Sequence, residues 1–80
     1  MDSIEEKLRA IIVTLSGNKV ESDFDAKAHV FRDLGIESTK ALELLFEIED
    51  QFEVTMPDLE YNACEHLNDL VGLITKLTQA

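Results

Sequence analysis

Apolar residues recur at helical spacing in four separate segments of this chain, and nowhere do they alternate with polar residues over the length of a strand. In the first segment Ile4, Leu8, Ile11, Ile12 and Leu15 share one face. Ser3 precedes them and forms a capping box with Glu6, and Gly17-Asn18 follows as a stop signal, so a helix is predicted over about residues 3–16. A second helix is predicted over 38–52, where Leu42, Leu45, Ile48 and Phe52 form an apolar stripe widened by Ala41 and Leu44. Pro57 suits the first turn of a short helix over 57–64, whose few apolar positions are Leu59, Tyr61 and Cys64. Leu67, Leu70, Val71, Ile74 and Leu77 predict a fourth helix over 66–78.

Residues 17–37, between the first two helices, form a connection longer than most in compact domains, and loops of this length usually carry function. Val20, Phe24, Val30, Phe31, Leu34 and Ile36 punctuate it, so it is expected to be packed. The fold class that follows is all-α: a small four-helix bundle with three main helices, one short helix and a long loop between helices 1 and 2.

Length and charge narrow the function. Eighty residues make one domain, 1–80, and a domain this small buries only about 60% of the surface of its unfolded chain. Seventeen acidic residues against seven basic ones give a net charge of −10. That balance argues against nucleic acid as a partner and disfavours anionic membranes, since both need clustered Lys and Arg. Proteins with basic surfaces are the expected partners, found quickly through electrostatic steering. No apolar run is long enough to span a membrane, so no membrane insertion is expected. The opening Met1-Asp2-Ser3-Ile4-Glu5-Glu6 lacks the apolar core of a secretory signal, so a cytoplasmic protein is expected, and a monomer is expected as well. Cys64 is the single cysteine, which leaves no disulfide framework and suggests a small core residue.

The candidate chemistry sits in Asp33-Leu34-Gly35-Ile36-Glu37-Ser38. A glycine-containing turn delivers a serine to the mouth of the second helix. No base lies nearby in sequence to make this serine a nucleophile. It is well placed to carry a phosphate ester, because the N–H groups at a helix N-terminus are unpaired and the helix dipole places about half a positive charge there.

Other constellations fail on spacing. Asp23-Phe24-Asp25-Ala26-Lys27 resembles the start of a calcium loop, but Ala28 and Leu34 stand where Gly and Glu are required. Neither His29 nor His66 has a second histidine at i+3 or i+4, so no metal site is expected, and each reads as a surface or turn residue. Gly17, Gly35 and Gly72 are too scattered for a phosphate-cradling loop. Along helix 2, Glu43, Glu47 and Asp50 stand at i, i+4 and i+7, with Glu49 and Glu53 nearby. Like charges at this spacing cost a helix a few tenths of a kcal/mol per pair, which invites a functional explanation.

The stretch Phe31-Arg32-Asp33-Leu34-Gly35-Ile36-Glu37-Ser38-Thr39-Lys40-Ala41-Leu42-Glu43-Leu44 resembles the phosphopantetheine attachment region of acyl carrier proteins. The resemblance continues through Glu47-Ile48-Glu49-Asp50-Gln51-Phe52 and Met56-Pro57-Asp58, and includes the length and the Ser3-Ile4-Glu5-Glu6 opening. It implies a 4′-phosphopantetheine arm, taken from coenzyme A by a phosphopantetheinyl transferase, on Ser38. The arm's thiol would carry acyl groups as thioesters for fatty-acid, polyketide or related lipid biosynthesis, and the chain itself would be no enzyme. It implies docking of acyl-loading, synthase and acyltransferase enzymes through Glu37, Thr39, Glu43, Phe46, Glu47 and Asp50. It further implies that Leu42, Leu45, Ile48, Met56, Tyr61, Leu70 and Ile74 enclose an acyl chain; read without it, these apolar residues are ordinary core.

Four positions depart from the family pattern. Glu37 replaces an aspartate, Thr39 a leucine, Lys40 brings a cation, and Phe46 is bulky, which together suggest a carrier dedicated to a specialised pathway. The competing reading is a small acidic helical interaction module without a prosthetic group.

Overall fold

The computed structural model describes residues 3–79; the Met1-Asp2 opening and Ala80 lie outside the described residues. Four helices follow one another: α1 (Ile4–Leu15), α2 (Ser38–Phe52), α3 (Asp58–Ala63) and α4 (Leu67–Thr78). All are amphipathic segments that cannot bury an apolar face alone, and α1 packs against both α2 and α4, with α3 laid on α4. The shared interior contains Leu8, Ile11 and Ile12 of α1, Leu44 and Ile48 of α2, Tyr61 of α3, and Leu67, Leu70 and Ile74 of α4.

The helix ends follow local chemistry. The Ser3 hydroxyl accepts a hydrogen bond from the Glu6 N–H at 3.1 Å and caps α1. At the other end Gly17 and Asn18 take positive φ, and the Asn18 N–H reaches back to the Val13 carbonyl. α2 ends on Glu53, a non-glycine residue in the left-handed region at φ 55°. Pro57 stands just before α3, where its missing N–H and fixed φ cost nothing.

The long connection is packed, as its apolar punctuation predicts. Val30, Leu34 and Ile36 are buried, and Val20, Phe24 and Phe31 pack against the core. Arg9 ties the early part of the connection to α1. Its guanidinium donates to the carbonyls of Ser22 (2.7 Å) and Phe24, pairs with Glu5 at 3.0 Å, and lies 4.6 Å over the Phe24 ring. The later part is held to the start of α4: the Val30 N–H donates to the Glu65 carbonyl at 2.8 Å. This clamped connection delivers residues 33–38 to the N-terminus of α2.

Candidate functional site around Ser38

Asp33 organises the turn before the serine. Its carboxylate accepts the His29 N–H at 2.9 Å, while its own N–H donates to the His29 carbonyl at 2.8 Å. Leu34 and Ile36 turn inward and are buried, and between them Gly35 sits at φ 71°, a conformation that only glycine adopts without strain. Glu37 then extends the chain and hands Ser38 to the first position of α2. The Glu37 side chain makes no capping hydrogen bond, and the first turn contains no acidic residue. The N–H groups of Ser38, Thr39 and Lys40 therefore have no intrahelical acceptor and no side-chain cap beside an exposed hydroxyl.

Ser38 shares its side of α2 with the exposed residues Thr39, Glu43, Phe46, Glu47 and Asp50, and Glu37 is exposed just before it. A further exposed position on α2 was expected elsewhere. Leu42, assigned from sequence to the inward apolar stripe and to an acyl pocket, is 53% exposed. The correction is geometric: Leu42 is one turn from both Ser38 and Phe46, and the buried side is set by Leu44 and Ile48, with Ala41, Leu45 and Phe52 half-buried beside them. Leu42 and Phe46, the latter 57% exposed, thus lie among Glu43, Glu47 and Asp50. Lys40 folds back on Glu43 at 3.6 Å, and Gln51 donates to Glu47 at 3.1 Å. Glu49 serves the fold instead, accepting the Met56 N–H at 2.9 Å.

A cleft of about 440 Å³ opens beside the serine, lined by Phe31, Ile36, Glu37, Ser38, Ala41, Tyr61 and Asn62. Of the residues assigned to an acyl pocket, only Tyr61 reaches it. Ile48, Met56, Leu70 and Ile74 are buried in the packed interior and Leu45 is half-buried against it. Tyr61 belongs to both regions. Its hydroxyl donates to the Ala41 carbonyl at 2.6 Å, its ring meets the edge of Phe31 at 6.2 Å, and burial pushes its phenol well above the ordinary value. Phe31, Ile36, Ala41 and Asn62 went unnoticed as site residues because they come from separate segments and carry no shared spacing.

The two histidines, distant in sequence, meet in the fold. They face each other in an isolated antiparallel bridge with ring centroids 6.0 Å apart. The His29 Nδ1 accepts the Arg32 N–H, and Asp69 accepts the N–H groups of Glu65 and His66, bonds that hold its carboxyl below the ordinary value. Among the described residues no cluster of His, Cys, Asp or Glu is arranged to hold a metal ion. No described helix is long and apolar enough to cross a membrane. Cys64 is buried, its thiol donates to the Glu60 carbonyl, and burial, followed by Asp69 and Glu60, raises its pKa, so it is a core residue.

An exposed serine at an uncapped helix start, with a cleft alongside, fits an arm attached through a phosphodiester. Residues 6–74 match the family described as the phosphopantetheine attachment site. The chain is 40% identical over 77 residues to a curated acyl carrier protein of Akkermansia muciniphila, covering 95% of this chain and 94% of that protein. It is 34% identical over 74 residues to an acyl carrier protein of Rickettsia bellii, covering 92% of this chain and 90% of that protein. A reading without a prosthetic group is thereby set aside. The chain belongs to the acyl carrier protein family, whose members are non-catalytic carriers that use phosphopantetheine as prosthetic group and work with phosphopantetheinyl transferases and acyl-processing enzymes.

Proposed function

We propose that Ser38 carries the arm and that the exposed side of α2 receives the partner enzymes. The observation that carries this reading is the exposed Ser38 hydroxyl on the first residue of α2, where neither Glu37 nor a first-turn acid competes for the free N–H groups. In the transfer, the Ser38 hydroxyl oxygen forms a bond to the phosphorus of coenzyme A as the nucleotide half leaves and the hydroxyl proton passes to a base of the transferase. The unpaired N–H groups and dipole of α2 favour the phosphodiester's negative charge. Once attached, the arm supplies a thiol that holds an acyl group as a thioester. The chain contributes position and recognition.

Recognition rests on the pairing of charge and apolar surface. Glu37, Glu43, Glu47 and Asp50 attract basic surfaces, while Leu42 and Phe46 supply area to bury once contact is made. Thr39, next to the serine, offers a partner less apolar surface than a leucine there. Together with Lys40 bound to Glu43, it supports a carrier with a restricted set of partners, dedicated to a specialised fatty-acid, polyketide or related lipid pathway. We place it in the cytoplasm as a monomer.

The experiment is incubation with coenzyme A, Mg²⁺ and a broad-specificity transferase, followed by intact-mass measurement. One phosphopantetheine is expected on the wild type and none on Ser38→Ala, whose helical circular dichroism stays unchanged. Modification of Ser38→Ala at the wild-type rate sinks the assignment.

A further inference from the structure

The stretch that presents Ser38 is held in two different ways. Leu34 and Ile36 bury their side chains in the core, which fixes its depth; burial is non-directional and does not aim it. Among the described residues Gly35, Ile36 and Glu37 donate no backbone hydrogen bond. The directed restraints upstream of α2 therefore lie in the turn of residues 29–34, and they converge on His29. Its carbonyl accepts the N–H groups of Asp33 (2.8 Å) and Leu34 (3.3 Å), its N–H donates to the Asp33 carboxylate at 2.9 Å, and its Nδ1 accepts the Arg32 N–H at 3.1 Å. Any residue at this position supplies the backbone groups; only the Nδ1 bond needs this side chain. An acceptor that takes the N–H three residues on is the arrangement that caps a helix start, and a neutral imidazole supplies it with its proton on Nε2. The surroundings agree with that tautomer. Nε2 faces the Glu65 carboxylate at 4.0 Å, and the rings of Phe31 and His66 meet the imidazole in T-shaped contacts at 6.0 Å each.

We infer that His29 is a positioning residue for phosphopantetheine transfer: its Nδ1 closes the turn that aims the Ser38 hydroxyl at the transferase. The inference rests on the reading of Ser38 above and deepens it by naming what orients the hydroxyl. His29 acts through Arg32, Asp33 and Leu34 and takes no part in the bond changes at phosphorus. Without the Nδ1 bond the buried side chains still hold the stretch to the core, but its direction loosens. Bond formation at phosphorus needs the hydroxyl oxygen in line with the leaving group, and a misplacement of about 1 Å costs a reaction about a hundredfold. A turn that keeps its buried anchors and its backbone bonds loses part of that, about tenfold. The exposed side of α2, with Leu42, Glu43, Phe46, Glu47 and Asp50, is untouched, so the loss belongs to the transfer step and leaves transferase affinity alone.

Two substitutions separate the acceptor from the ring. His29→Phe keeps an aromatic ring beside Phe31 and His66 and removes the acceptor. His29→Asn removes the ring and keeps an acceptor, since its Oδ1 stands where Nδ1 does. The test uses the full chain, coenzyme A, Mg²⁺ and a broad-specificity transferase in excess, at a temperature where circular dichroism shows each variant folded. Single-turnover rates are read by intact mass over a range of transferase concentrations, which gives the transfer rate and the half-saturating concentration separately. His29→Phe is expected to slow the transfer step about tenfold with the half-saturating concentration within about twofold of the wild type. His29→Asn is expected to recover the rate to within about threefold of the wild type, whatever either substitution does to the melting temperature. A merely structural role would lower the melting temperature and leave the transfer rate of the folded protein where it was. A wild-type rate in His29→Phe, a loss confined to the half-saturating concentration, or an asparagine variant as slow as the phenylalanine one overturns the inference. A wild type that takes up no arm overturns the reading of Ser38 itself, so the two failures are distinguishable.

Discussion

Arg9→Ala removes the side chain that fastens the long connection to α1, and the structure sets the size of the effect. The guanidinium makes two hydrogen bonds to the carbonyls of Ser22 and Phe24, pairs with Glu5 and stacks on Phe24, with its side chain 16% exposed. Hydrogen bonds to a charged group contribute about 1.5–3 kcal/mol each, but these carbonyls lie near the surface, where water replaces a lost donor, so about 1 kcal/mol apiece is appropriate. The Glu5 pair adds about 0.5 kcal/mol and the stacking about 0.5–1 kcal/mol. One guanidinium makes all these contacts, so they do not add fully, and a loss of about 2–3 kcal/mol is expected. Against a total of about 5 kcal/mol, that is roughly half the stability, and the melting temperature should fall by about 10–20 °C. Urea unfolding followed at the helical circular dichroism band measures it. Arg9→Lys should recover less than half, because an ammonium has no planar fork to span two carbonyls and a carboxylate. A change within about 0.5 kcal/mol for Arg9→Ala would mean that the connection is held by its buried anchors alone, contrary to this assignment.

Three further outcomes are expected. Charge reversal at Glu43 and Glu47 to Lys should slow transferase modification and weaken partner binding without unfolding, as should added salt, because exposed charges are screened over about 8–10 Å at physiological ionic strength; truncating Leu42 and Phe46 to Ala should weaken binding at every salt concentration, and indifference to all of these refutes the docking face. Glu53→Gly should stabilise by about 0.5–1 kcal/mol in thermal unfolding, since it relieves a left-handed residue and removes an anionic charge from a helix C-terminus; a destabilised variant refutes this. Asp69, held below its ordinary value of 3.8 chiefly by the N–H groups of Glu65 and His66, stabilises the fold above that pH, and its contribution is lost as the pH falls below it. Asp69→Asn should therefore flatten the acid limb of stability against pH, and an acid limb identical to the wild type's contradicts it.

The parts legible in the sequence were those governed by short-range periodicity. α1 and α4 carry apolar positions on one face and polar ones on the rest, and both form within a residue or two of the expected bounds. The turn before Ser38 was legible because Asp, Gly and a helix start have local requirements that few other residues satisfy. Leu42 was misplaced because apolar character was equated with burial, whereas many exposed positions are apolar and only the helical phase relative to Leu44 and Ile48 separates the two cases. The cleft could not be read at all. Phe31, Ala41 and Tyr61 meet only when three segments pack together, and no local spacing encodes that meeting. The same holds for Arg9 with Ser22, for Glu49 with Met56, and for the facing histidines.

The central claim is that Ser38 bears the arm on which this protein carries acyl groups. The most direct measurement is fragmentation mass spectrometry of the Ser38 peptide from protein purified out of its own cells, with and without hydroxylamine. The account predicts a phosphopantetheine on Ser38, and a fraction of it bearing an acyl mass that hydroxylamine removes while leaving the arm in place. A Ser38 peptide found wholly unmodified, in cells whose other carriers are loaded, would contradict it.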